Sequence, residues 1–208
     1  MTTWFTADQH FGHVRIQHFE AKNRGHFKGV RDMDDFMIER WNSVVKKDDV
    51  VYHLGDFALA PKRRKQEIVQ QLNGYKISIR GNHDAGPFHM KEIGFQEVYP
   101  WMTLNLTREE LPNKRILLVH EATKFLKRRE GSVIDYIVCG HVHSNWKRKQ
   151  NAVNVGVDVW EFLPISLPTA LAVFNLDLTG VYDLTVDRVP KWKGATASQE
   201  IYSVCEKQ

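Results

Sequence analysis

The stretch Tyr75-Lys76-Ile77-Ser78-Ile79-Arg80-Gly81-Asn82-His83-Asp84 decides how this chain folds. Its first six residues predict a strand, and the strand stops at a glycine that lets the backbone turn tightly. Asn82, His83 and Asp84 then follow in a loop. Upstream, Pro61 to Leu72 predicts a helix, with Pro61 suited to the first turn and Gly74 placed beyond the end. Asp49 to His53 predicts a second strand that runs into Gly55-Asp56. Thr3 to Ala7 predicts a buried first strand that runs into Asp8-Gln9-His10. Between these two, Asp32 is placed to cap a helix from about Met33 to Lys46, in which Met33, Phe36, Met37, Trp41, Val44 and Val45 recur at helical spacing. Downstream, the apolar run Arg115 to Val119 leads to His120, and Tyr136 to Cys139 leads to Gly140-His141-Val142-His143.

Strand–helix alternation of this kind predicts an α/β domain. After Gly140 the pattern turns β-rich. Ala152 to Val159, Ala170 to Leu176 and Val181 to Val186 read as strands, with Thr179-Gly180 suited to a hairpin between the last two. No linker divides the chain, so residues 1–190 are expected to form one domain and the polar residues 191–208 a peripheral segment. A length of 208 residues, 42% hydrophobic and 26% charged, fits a soluble domain with a sizeable core. Cys139 and Cys205 are the two cysteines, which excludes a disulfide framework and points to a reducing cytoplasm. No apolar stretch reaches the roughly 18–20 residues that span a membrane, and the first residues lack the layout of a signal peptide. The net charge of +4 is mildly basic and selects no partner.

Five short motifs therefore stand at the ends of predicted strands, where ligands bind in α/β sheets. Carboxylates with imidazoles suit zinc, iron or manganese better than calcium, and no thiolate is offered. Taken singly each is bland: Asp8, Asp56 and Asn82 form turns in many proteins, and a lone His120 after a buried strand is commonly structural. Five together, in sequence order, are not.

The set D-x-H, G-D, G-N-H-D, H and G-H-x-H resembles the calcineurin-like metallophosphoesterase superfamily, over roughly residues 3 to 160. The resemblance implies two packed β-sheets flanked by helices, an α/β/β/α sandwich. It also implies two divalent transition metal ions (Mn, Zn, Fe or Ni). Asp8, His10 and His143 would hold the first ion, Asn82, His120 and His141 the second, and Asp56 both. Such a pair lowers the pKa of a shared water and neutralises phosphoryl oxygens. His83 would lie near the leaving-group oxygen as the catalytic acid. The implied activity is hydrolysis of a phosphodiester or phosphomonoester of nucleotide type. The alternatives are a nuclease or nucleic-acid end-processing enzyme, and a non-catalytic module of the same fold. One departure stands out. Many relatives carry a second Asp three residues after the bridging one, to orient the catalytic His; here that position is Leu59.

The remaining histidines read differently. His13 directly extends the Asp8–His10 loop and is a candidate substrate contact, whereas His18, His26 and His89 read as surface groups and His53 as a packing or supporting residue. Lys62-Arg63-Arg64-Lys65, Lys127-Arg128-Arg129 and Lys147-Arg148-Lys149 are basic clusters. Lys147, near His143 and beside Trp146, is the candidate contact to an anionic substrate. Asp158 is either a turn residue or the support of a histidine ligand.

Overall fold

The computed structural model describes residues 1–108, 111–123, 125–126, 133–174 and 183–189. In chain order the strands are β1 (Thr3–Thr6), β2 (Val50–His53), β3 (Tyr75–Ile79), β4 (Glu97–Tyr99), β5 (Trp101–Arg108), β6 (Leu111–Val119), β7 (Tyr136–Cys139), β8 (Arg148–Lys149), β9 (Ala152–Asn154), β10 (Ile165–Ser166) and β11 (Asp183–Arg188). The helices are α1 (Ile16–Phe19), α2 (Ala21–Arg24), α3 (Val30–Val44), α4 (Lys62–Gln71), α5 (Pro87–Glu92) and α6 (Leu167–Ala172). One sheet has the order β10-β1-β2-β3-β4 and the other β11-β5-β6-β7-β9-β8. In the first, β1 to β4 run parallel and β10 lies antiparallel against β1.

Side-chain alternation along the strands explains why the two sheets pack together. Phe5, Tyr52, Leu54, Ile77 and Ile79 of the first sheet meet Met102, Leu104, Ile116, Leu118, Val138 and Val153 of the second in one buried core. The residues between them point the other way. Val51 and Val98 pack under Met33, Met37 and Trp41 of α3 and Ile68 and Val69 of α4. Leu117, Val119, Ile137 and Cys139 pack outward against Leu126 and Ile134. Each fully buried aliphatic or aromatic side chain is worth about 1.5–3 kcal/mol, so three such clusters fix both sheet registers. A one-residue slip would turn every one of these residues to the wrong face. The expected α/β fold with two packed sheets flanked by helices is therefore present.

Several local expectations differ. Ala170–Leu176 was expected as a strand, but α6 occupies Leu167–Ala172. Ser166 accepts the Thr169 N–H at its N-cap, and Pro168 sits in its first turn. The strand after Ala152 ends at Asn154; Val155 N–H still bonds to the Cys139 carbonyl at 2.8 Å, Gly156 bridges Ala7 of the other sheet, and a short 3₁₀ turn follows at Val157–Val159. Glycine at 156 permits this crossing, since an added Cβ would lie 2.7 Å from Asp8 Oδ2. Among the described residues β11 pairs antiparallel with β5. The Thr179-Gly180 turn, residues 191–208 and the Lys127–Arg129 cluster lie outside the described residues. Helix α3 starts at Val30, so Asp32 lies in its first turn, where it accepts the Lys28 N–H at 3.0 Å. Among the described residues no helix is long and apolar enough to cross a membrane.

Candidate metal centre

The loops that follow β1, β2, β3, β6 and β7 meet at one end of the sandwich. The first two are laced by backbone bonds from Asp8 N to Gly55 O (3.0 Å), His10 N to Asp56 O (3.1 Å) and Phe11 N to Phe57 O (2.9 Å). The third is tied to the second by Asp84. Its Oδ2 accepts the Asp56 and Gly81 N–H groups at 2.9 and 2.8 Å, and its Oδ1 accepts that of Phe57 at 3.0 Å. The fifth closes over the first, where His141 N–H points at both Asp8 oxygens, 2.9 and 3.1 Å away. Gly140 permits this approach: an added Cβ would stand 2.6 Å from Ala7 Cβ and 2.8 Å from Asp8 Oδ2.

Backbone strain gathers at the same place. Among the described residues eight non-glycine residues have positive φ, and five of them are Asp8, His10, Asp56, His141 and His143. Each such residue costs of order 1–3 kcal/mol and persists only where surrounding structure imposes it, a pattern typical of functional sites.

The side chains form two groups. Ligand-type atoms of Asp8, His10 and His143 lie within 4.8 Å of one another, as do those of Asp56, His120 and His141. Asn82 joins the second: its Oδ1 lies 3.0 Å from both His120 Nε2 and His141 Nδ1. Atoms about 2.1 Å from one cation are spaced by about 3.0–3.4 Å, so this spacing suits a shared ion. Asp56 stands between the groups, with Oδ2 3.3 Å from His120 Nε2 and 3.6 Å from His10 Nε2. Both ring nitrogens of His10 are buried without a hydrogen-bond partner, which is costly for an imidazole unless it serves as a ligand. The donor set thus fits two divalent cations of borderline character.

Protonation follows from burial and neighbours. Burial pushes Asp8 up to about 6, against the pull of His120 and His143. Burial pushes His10 down to about 3, so its approach to Asp56 is not an ion pair. For His120 burial acts downward, but the bond to Asp56 and the charge of Asp8 outweigh it and raise the ring to about 9. Burial opposes the charge of Asp56, yet His120 and the His83 N–H hold it well below the usual carboxylate range. Two carboxylates and a cationic imidazole packed this tightly have the charge pattern that a bound cation would reorganise.

His83 is exposed at the rim. Its N–H donates to Asp56 Oδ1 at 2.8 Å, and its ring meets that of His10 edge-on with centroids 5.5 Å apart. Asp84 does not orient this ring, because both of its oxygens are taken by backbone amides. Leu59 has no polar side-chain atom with which to do so. His13 lies on the other side, its ring 5.4 Å from that of His10 and 6.2 Å from the exposed Phe19. Lys147 turns elsewhere: its ammonium sits 3.5 Å from the centre of the Trp160 ring, in a groove with Trp4 and Val44. His53 is buried beneath the centre, between Gln9 Oε1 (2.6 Å) and the Gly55 N–H (3.2 Å). Asp158 Oδ2 lies 2.9 Å from His143 Nδ1. One further residue was not singled out from the sequence. Arg24, fully buried, pairs with both oxygens of Asp158 and donates to the carbonyls of Asp8 and Gln9. Nothing in its neighbourhood of the sequence marks it, since its partners are brought to it only by the fold.

The two-sheet fold and the paired ligand clusters define a metal-dependent phosphoesterase domain. The chain belongs to the calcineurin-like phosphoesterase superfamily, whose domain profile matches residues 26–161. It is 30% identical over 174 residues to an uncharacterized protein of Methanocaldococcus jannaschii, covering 79% of this chain and 86% of that one. It is 29% identical over 190 residues to the gene 66 protein of Mycobacterium phage L5, covering 76% and 87%. A solved structure of a protein of unknown function from Aquifex aeolicus superposes with a TM-score of 0.59 at 28% identity, over 79% of this chain and 95% of that one.

Proposed function

We propose that this chain is a dinuclear metal-dependent hydrolase of phosphate esters, acting on a phosphodiester or phosphomonoester of nucleotide type. Asp8, His10 and His143 would hold one cation and Asn82, His120 and His141 the other, with Asp56 available to both. The observation that carries this reading is the position of Asp56, whose Oδ2 faces a histidine of each group at 3.3 and 3.6 Å. Bound there, the pair of cations would supply charge neutralisation at phosphorus and an acidified water. The chain's own groups do the rest. Burial of Asp8 and Asp56 excludes competing water from the ligands. His83, on the rim and free of any described hydrogen bond at its ring, is placed to give a proton to the departing oxygen. Such help is typically worth ~10²–10⁴-fold. With neither Leu59 nor Asp84 available to aim the ring, substrates with good leaving groups suit this site best. His13, half-exposed beside the buried His10 ring, would touch the substrate.

The nucleic-acid reading draws less support. Lys62, Arg63 and Arg64 are engaged with Glu92, Glu67 and Asp34, and Lys147 and Arg148 lie against Trp160 and Phe174. A non-catalytic role fits poorly with a complete ligand set and a retained His83.

The test is turnover of bis-p-nitrophenyl phosphate, p-nitrophenyl phosphate and a panel of cyclic nucleotides, dinucleotides and short single strands with Mn²⁺. Wild type is expected to turn over at least one, and Asp56→Asn none. A protein that binds two Mn²⁺ by calorimetry and cleaves nothing on the panel would overturn the proposal.

A further inference from the structure

The interior behind the first ligand group holds a charged residue with an unusual set of contacts. Arg24 ends the short helix α2 and is 0% exposed. Its guanidinium makes four short bonds, each 2.7 or 2.8 Å: Nε to Asp158 Oδ1, one terminal nitrogen to Gln9 O, and the other to both Asp8 O and Asp158 Oδ2. The two carbonyls belong to the D-x-H loop, where Asp8 and His10 both have positive φ, at 62° and 51°. Asp158 in turn faces His143 Nδ1 at 2.9 Å, leaving the other ring nitrogen for the ligand cluster. One side chain thus touches, directly or through Asp158, the backbone or side chain of the elements that carry Asp8, His10 and His143. The second group is backed by other residues: His120 Nδ1 meets the Leu54 carbonyl at 2.7 Å and Asp84 accepts the Asp56 N–H, and among the described residues Arg24 makes no hydrogen bond to this group.

We infer that Arg24 is a positioning residue which, with Asp158, builds the first cation site and bears on the second only indirectly, through Asp8 and Asp56. This rests on the two-cation reading above. A planar fork with fixed donors is what the job requires, since it must hold two carbonyls and a carboxylate at set angles. A lysine supplies the charge but not the fork. Burying the guanidinium is itself costly, and Asp158 offsets that cost, which is why the two act as one unit. Two effects compete on Arg24 removal. Losing a nearby positive charge favours a cation at the first site. Losing the alignment of Asp8, His10 and His143 disfavours it. Loss of a group that orients metal ligands typically lowers affinity by ~10–100-fold, and here one residue orients three ligands, so alignment is expected to win.

The experiment is titration calorimetry with Mn²⁺ on wild type, Arg24→Met, Arg24→Lys and Asp158→Asn, alongside the imidazole ¹⁵N shifts of His143 in the metal-free proteins. Wild type should take two ions. Each variant should keep one ion at close to wild-type affinity and bind the other at least tenfold more weakly. The His143 signals should show its ring nitrogens losing their fixed tautomer. Lysine should fail to rescue, which separates a fork from a charge. Should Arg24→Met not fold, Arg24→Lys and Asp158→Asn carry the same comparison. Unchanged binding of both ions, tighter binding of either, equal weakening of both, or rescue by lysine would each overturn the inference. A wild type that binds no ions would instead refute the two-cation reading.

Discussion

Replacing Asp84 with alanine or asparagine separates two roles for this carboxylate. If Asp84 is a staple, as its three amide bonds at 2.8–3.0 Å indicate, its loss frees the N–H groups of Asp56, Phe57 and Gly81 at once. A hydrogen bond to a charged group is worth about 1.5–3 kcal/mol net. Three would total roughly 4.5–9 kcal/mol if dry and additive. Asp84 is only half-buried, so water replaces part of this, and a loss of about 2–4 kcal/mol is expected for Asp84→Ala. For a domain of this size each kcal/mol lowers Tm by about 2–4 °C, so Tm should fall by roughly 4–16 °C. Asparagine should rescue little, because its amide turns a donor toward a donor. The assay is thermal and denaturant unfolding of the metal-free protein, with the pH–rate profile measured in parallel. If Asp84 served instead to aim His83, Asp84→Asn would leave Tm within about 2 °C of wild type and shift one limb of the profile. That result would refute the staple.

Further predictions concern the interior. The His53 Nδ1 accepts the Gly55 N–H, and burial pushes the ring down to about 4. Its folded pKa is depressed, so its contribution is full above about 6.5 and is lost as pH falls toward 4, on the order of 3 kcal/mol in all. His53→Asn should therefore flatten the acid side of the stability–pH curve of the metal-free protein, and a parallel curve would count against it. Asp8, raised to about 6, acts oppositely, its contribution being lost as pH rises from about 4 to 6. The difference between variant and wild type isolates His53. Gly140→Ala places a methyl 2.6 Å from Ala7 Cβ and 2.8 Å from Asp8 Oδ2, at a cost of about 1–3 kcal/mol. It should weaken cation binding as well as stability, and weakened stability with unchanged binding would show that Asp8 is not pressed aside.

The centre was legible because its residues stand at strand ends, three of them directly after a glycine, so alternation and turn chemistry brought Asp8, Asp56, Asn82, His120 and His141 to one edge. What supports the centre was less legible, for a physical reason. Arg24 bonds to Asp158, 134 residues away, from a short helix with no apolar period. The function of Asp84 depends on amides of another loop. The sequence Leu167–Ala172 is as apolar as a strand, and only Ser166 and Pro168 tip it to a helix. β11 joins β5 across some eighty residues, a pairing that no local sequence pattern signals.

Diffraction at the manganese edge from crystals grown with Mn²⁺ tests the two-cation centre most directly. Two anomalous peaks should appear about 3.5–4 Å apart, one bounded by Asp8, His10 and His143, the other by Asn82, His120 and His141, with Asp56 touching both. No peak beside Asp56, or a single ion held by residues outside these seven, would contradict it.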